Sequence, residues 1–144
     1  MLLTSVNGCL KAYWYRDGYL RTSSYWFDLN NTSNLYIHLT NDAIQKQSEY
    51  YQKYEPGNKV SYNEFQRYLD YNFNTKGYKF DEVLDKMKAI AVDIVKANYR
   101  HLDPQRLKNN FEVIGLDFMI DRDFKPWLIE ANYNPCLEVN CPVL

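Results

Sequence analysis

The segment Gly115 to Glu138, GLDFMIDRDFKPWLIEANYNPCLE, concentrates carboxylate and amide side chains at a spacing that could hold a divalent cation. Taken as two strands, Glu112 to Asp121 and Phe124 to Asn132 with a turn at Arg122-Asp123, it puts Leu116, Phe118, Ile120, Trp127, Ile129 and Ala131 on one face by the side-chain period of two. That register pairs odd with even positions across the ladder, so Asp117, Met119 and Asp121 share the other face with Leu128, Glu130 and Asn132. Asp117, Glu130 and Asn132 then converge as the hard oxygen donors that Mg²⁺ prefers, with positions left for water and nucleotide phosphates. The same alternation also describes the solvated face of an amphipathic antiparallel hairpin. What favours a cation is the setting: mid-strand carboxylates among bulky apolar neighbours are expensive without a cation or a basic partner. Pro135, which cannot donate to a ladder, ends the second strand soon after Asn132.

Three other polar groupings could contact a ligand. His38-Leu39-Thr40-Asn41 reads as the end of a strand and the start of a helical turn, where backbone N–H groups, a hydroxyl and an amide can gather around phosphate or ribose. An ordinary N-cap explains the same residues. Arg21, followed by Thr22-Ser23-Ser24, lies just past a strand, where a guanidinium could grip a carboxylate or phosphate in bidentate fashion. Lys46 and Lys53 could add positive charge near a nucleotide, or simply line a solvated helix face. No GxSxG elbow, GxGxxG turn or GxxxxGK[ST] loop occurs, so a bound nucleotide would be held by neither a P-loop nor a Rossmann crossover.

The elements that must position these groups follow from pattern. Leu2 to Val6, Cys9 to Tyr15 and Tyr19 to Arg21, separated by Asn7-Gly8 and Arg16-Asp17-Gly18, read as a strand meander. Leu35 to Leu39 reads as a short strand, and Thr40-Asn41-Asp42 as a cap for a helical turn from Ala43. Ser61 with Glu64 forms a capping box for a helix from Tyr62 to Phe73. Between Phe80 and Tyr99 the apolar residues recur at the helical period, which marks a core-facing stripe. Strands, then helices, then strands make an α+β unit. In the meander reading, the first strand lacks a second neighbour, as though the chain were truncated at its N-terminus.

The 144 residues, 46% hydrophobic and 24% charged, suit one modest folded domain. A net charge of -1 shows no global basic field of the kind that draws nucleic acid. No stretch approaches the length of a membrane span and no leader pattern opens the chain. Cys9, Cys136 and Cys141 are odd in number and lack a CxxC pair, which argues against a disulfide framework or a zinc site and for a reducing, cytoplasmic setting.

In order and spacing, YLRTSS, HLTNDAIQKQS, GNKVSYNEFQRYLD, FEVIGLDFMID and WLIEANYNPCLE resemble the catalytic region of the tubulin tyrosine ligase and tubulin tyrosine ligase-like family, from about Leu2 to the C-terminus. The resemblance implies the C-terminal portion of an ATP-grasp-like fold, an antiparallel sheet with packed helices, lacking the N-terminal and most of the central subdomain. It implies Asp117, Glu130 and Asn132 as magnesium ligands. His38, Thr40, Asn41 and Lys46 match nucleotide-side positions, and Arg21 the arginine that grips the incoming amino acid or its intermediate. The implied reaction uses ATP and Mg²⁺ to attach tyrosine, glutamate or glycine to a protein carboxylate through an acyl phosphate. The acidic C-terminal tail of tubulin would be the acceptor, in the cytoplasm or at the cytoskeleton or cilium. The family's upstream D-x-R run and ATP-contacting lysines are not in this sequence, and YWFDLNN replaces its EPYD-like stretch. A non-catalytic paralogue that binds tubulin or another protein is the alternative.

Overall fold

A computed structural model describes residues 1–75 and 79–137. In chain order the elements are β1 (Leu2–Val6), β2 (Cys9–Tyr13), β3 (Tyr19–Arg21), α1 (Leu35–His38), α2 (Asp42–Gln45), a 3₁₀ turn at Pro56–Asn58, β4 (Lys59–Ser61), α3 (Tyr62–Phe73), α4 (Lys79–Leu102), β5 (Asn109–Ile120) and β6 (Pro126–Tyr133). Helices and antiparallel strands make the α+β class expected from sequence. The described residues form two compact units, residues 1–16 with 79–137 and residues 17–75. No described helix is long and apolar enough to cross a membrane.

The first unit is an antiparallel sheet in the order β2-β1-β5-β6, with α4 packed on β6. The meander expectation fails at two points. β3 pairs with β4 in a separate two-stranded sheet, and the second neighbour of β1 is β5, with Leu2 opposite Val113. β1 is thus interior, and the open edge inferred from the meander is filled by a strand more than a hundred residues away. Leu3 and Ser5 alternate inward on β1 and are buried. α4 buries Phe80, Val83, Met87 and Ala91 at spacings of three and four, the stripe that its periodicity announced. Ser5 donates its hydroxyl to Asp103, which also accepts from the Asn110 amide (3.2 Å), so the link from α4 into β5 is fastened to the sheet. These bonds hold the Asp103 carboxyl below its ordinary value, the Ser5 hydroxyl first among them.

In the second unit, α3 begins on the Ser61–Glu64 capping box and ends at Asn74 in the left-handed conformation, and it buries Leu69. Leu35 to Leu39, expected as a strand, is helical instead. Asn34 caps it by accepting from the Tyr36 N–H at 3.0 Å, and the Leu39 N–H closes the turn onto Leu35. A local cap overrides the strand preference of a tyrosine and an isoleucine. Asn41 caps α2 in the way the sequence suggests, accepting from Ala43 at 2.9 Å.

Candidate functional site

The β5–β6 hairpin closes on Asp121. Its carboxylate accepts from the N–H groups of Asp123 (2.9 Å) and Lys125 (3.0 Å) and from the Trp127 indole (2.9 Å). Those donors, the indole first, hold its pKa below the usual carboxylate value. Phe124 takes a positive φ of 59°, so the loop spans Arg122 to Phe124 rather than two residues.

The register contains a feature that alternation cannot show. Asp117 pairs with Glu130 while the next residue, Phe118, pairs with Leu128, so Ile129 is an extra residue on β6, a β-bulge. Beyond the bulge Gly115 faces Asn132, and on the turn side Met119 faces Trp127. The acidic face therefore carries Asp117, Met119, Trp127, Glu130 and Asn132. Trp127 and Leu128 have exchanged the faces that strict alternation assigns them. Burial agrees: Trp127 is exposed and Leu128 half-buried, and Pro126 on the Leu128 side is buried.

Asp117, Glu130 and Asn132 do come together. The Asn132 amide donates to Asp117 Oδ2 at 3.3 Å and to Glu130 Oε1 at 3.1 Å. Gly115 permits the next fold of chain, because a Cβ there would stand 3.1 Å from the Cβ of Pro135. Glu130 and Asn132 are exposed and Asp117 is half-buried, so the trio lies on an open face and not among the bulky apolar neighbours expected from sequence. Two carboxylates meeting across a ladder repel, and here an amide donor offsets that repulsion. The same set fits a hard cation: a half-turn of the Asn132 amide would bring its carbonyl oxygen to the point its nitrogen now shares with both carboxylates. A depression of about 320 Å³, lined by Thr4, Val6, Cys9, Lys11 and Tyr13, lies on β1–β2 and carries no carboxylate.

The other expected contacts lie in the second unit. Arg21 is exposed at the end of β3, donating to the Tyr19 hydroxyl at 3.4 Å with its guanidinium 5.8 Å from that ring. His38 turns toward the loop before it: its Nε2 is 2.8 Å from the Asn31 carbonyl and its ring meets Phe27 edge to face. Thr40 is half-buried, Asn41 is occupied as the α2 cap, and Lys46 is exposed at the end of that helix. Arg21 stands opposite Lys59 across the β3–β4 ladder, and Lys59 pairs with Asp42 at 3.1 Å. That bridge ties β4, the ladder partner of the arginine strand, to the residue following Asn41.

Sequence reasoning missed Gln45, Asn58 and Lys59 as groups that hold these segments, and it read Ser24 as a hydroxyl beside a ligand and Asp42 as part of a cap without their holding roles. Gln45 is fully buried and Ser24, Asn58 and Lys59 nearly so. Nothing periodic marks them, and the Pro56-Gly57-Asn58 turn signal gives only a place where the chain reverses.

The family model for the tubulin-tyrosine ligase family matches residues 1–144. A probable tubulin polyglutamylase of Mus musculus, TTLL2, is 34% identical over 136 residues, covering 92% of this chain and 24% of the relative. A probable tubulin polyglutamylase of Rattus norvegicus, TTLL9, is 35% identical over 128 residues, 89% of this chain and 27% of the relative. The Homo sapiens protein monoglycylase TTLL8 is 34% identical over 151 residues, 99% of this chain and 17% of the relative. The chain thus spans about a quarter or less of the length of these curated relatives.

Proposed function

The chain belongs to the tubulin-tyrosine ligase family, and from that premise we propose that it forms part of an ATP- and Mg²⁺-dependent ligase that joins an amino acid to a protein carboxylate. The relatives' names, tubulin polyglutamylase and protein monoglycylase, support glutamate or glycine as donor and tubulin as acceptor; the acidic tubulin tail is the acceptor site we propose. In the reaction the acceptor carboxylate takes the γ-phosphoryl of ATP and releases ADP. The donor amine then displaces phosphate from the acyl phosphate, forming the amide and losing a proton.

The observation that carries this reading is the convergence of Asp117, Glu130 and Asn132 on the open hairpin face. These three would hold Mg²⁺, which when bound offsets the charge of the phosphates. Asp121, saturated by its turn donors, fixes the strand ends from which the trio projects. Arg21 would hold the donor's carboxylate, for which a planar guanidinium is suited. Thr40 and Asn41, with His38 and Lys46 beside them, would face the nucleotide.

Calorimetric titration of the chain with ATP in the presence and absence of Mg²⁺, beside a Glu130→Gln variant, tests the reading. Mg²⁺-dependent binding that falls about tenfold or more in the variant is the expected result. Equal binding by both proteins removes the trio from the site. No binding by the wild-type chain sinks nucleotide binding as its own property.

A further inference from the structure

We propose that Gln45 is a positioning residue that locks the segment bearing Arg21 to the segment bearing Thr40 and Asn41, so that both meet a ligand as one surface. The proposal rests on the functional reading above, in which those residues are ligand contacts.

Gln45 is 0% exposed and uses both ends of its amide in opposite directions. Its oxygen accepts from the N–H and hydroxyl of Ser24, at 2.9 and 2.7 Å, and from the Asn58 amide at 3.3 Å. Its nitrogen donates to the carbonyls of Tyr36, at 3.2 Å, and Leu39. Its backbone N–H donates to the Asn41 carbonyl at 2.9 Å. One residue therefore grips the chain on both sides of Thr40 and holds the turn that follows Arg21.

Asn58 extends the grip. It donates to Ser24 Oγ (3.1 Å) and the Thr22 carbonyl (3.4 Å), accepts from the Gln52 N–H (2.8 Å), and its own carbonyl takes the Thr22 N–H at 3.0 Å. Among the described residues no buried side-chain nitrogen or oxygen lacks a partner. A satisfied network in a low-dielectric interior has one geometry and resists others. The amide offers an acceptor and two donors together, and Gln45 uses all of them. A glutamate keeps the acceptor toward Ser24 but has no donor for the Tyr36 and Leu39 carbonyls when ionised and only one for the two when burial keeps it protonated, while a methionine keeps the volume and neither function.

Energetic coupling between two segments is reciprocal, and that supplies the test. Native-state hydrogen exchange is measured by NMR on the wild-type chain, Gln45→Glu and Ser24→Ala. Gln45→Glu cuts at least one of the two bonds to Tyr36 and Leu39, yet exchange is expected to quicken about tenfold at Thr22 and Ser24 as well as at Leu39 and Ala43. Ser24→Ala, cut at the other end, should be felt at Leu39 and Ala43, with the amides of α3 at their wild-type rates in both variants. Two results overturn the proposal: each variant felt only at the end it cuts, or a uniform rise that includes α3, which marks an ordinary core residue.

Titration with MgATP and with glutamate or glycine adds the functional arm. Donor binding weakened about tenfold in Gln45→Glu, with unfolding midpoints still well above the assay temperature, supports positioning. Undiminished binding refutes it. A wild-type chain that takes no ligand fails the functional reading instead, and the exchange pattern still decides the role of Gln45.

Discussion

The open hairpin face and the buried hub around Gln45 solve the same problem, holding polar groups in a set geometry, by opposite means. Asp117, Glu130 and Asn132 project from a ladder whose backbone bonds do the holding, so their side chains lie on an open face, joined to one another through the Asn132 amide. The segments bearing Arg21 and Asn41 belong to short elements of three and four residues that cannot hold themselves. There the side chains must do the holding, and they are buried and saturated for that purpose. Charged groups can be changed cheaply on the hairpin and neutral ones only dearly at the hub.

The widest separation should appear in stability. Gln45→Leu removes the acceptor of the Ser24 N–H and hydroxyl and the donor to two carbonyls, and should cost roughly 4 kcal/mol in urea unfolding. Glu130→Gln, on an exposed group, should stay within about 0.5 kcal/mol of wild type while weakening Mg²⁺-dependent nucleotide binding about tenfold or more. Comparable losses from the two changes would break the distinction. Smaller, and local to the second unit, Ser61→Ala removes the hydroxyl half of the α3 capping box and should cost about 1 kcal/mol in the same measurement.

Acid sharpens the contrast further, since the Ser24, Gln45 and Asn58 bonds at the hub are uncharged and the first unit is fastened by a carboxylate. Asp103 has its pKa lowered in the folded chain, chiefly by the Ser5 hydroxyl, so the unfolded chain takes up its proton first as pH falls. Its contribution is complete above the ordinary value of 3.8 and lost as pH drops through the folded value. Asp103→Asn should therefore melt below wild type at pH 7, with the gap closing at pH values under 3.8. A gap that persists unchanged into acid would show that the deficit comes from shape and not charge.

The legibility of these features in sequence follows from range. α3 and α4 were readable because a capping box and a helical stripe are local. The pairings β1–β5 and β3–β4 were not, because each joins residues tens to more than a hundred positions apart and nothing in either strand names its partner. The acidic trio was readable because alternation survives along most of a strand. The hub was invisible, since serine, glutamine and asparagine scattered over residues 24 to 58 look like surface until the chain closes around them.

The least disruptive change discriminates best between the register of the structure and strict alternation. Ile129 is exposed and is the residue skipped when Asp117 pairs with Glu130 and Phe118 with Leu128. Deleting it from a ladder without a bulge would invert every side chain on one side of the cut, carrying either Glu130 and Asn132 or Trp127 to the opposite face. Deleting it from the bulged ladder only regularises the strand: Glu130 moves into the vacated place, still opposite Asp117, and Trp127 keeps its bond to Asp121. The deletion should thus cost no more than about 1 kcal/mol and leave the Trp127 environment, followed by fluorescence among the other tryptophans, close to wild type. Leu128→Ala, on the packed face, should cost more than the deletion. Should the deletion prove the more damaging of the two, Ile129 is not the extra residue, and the face assigned to Trp127 fails with it.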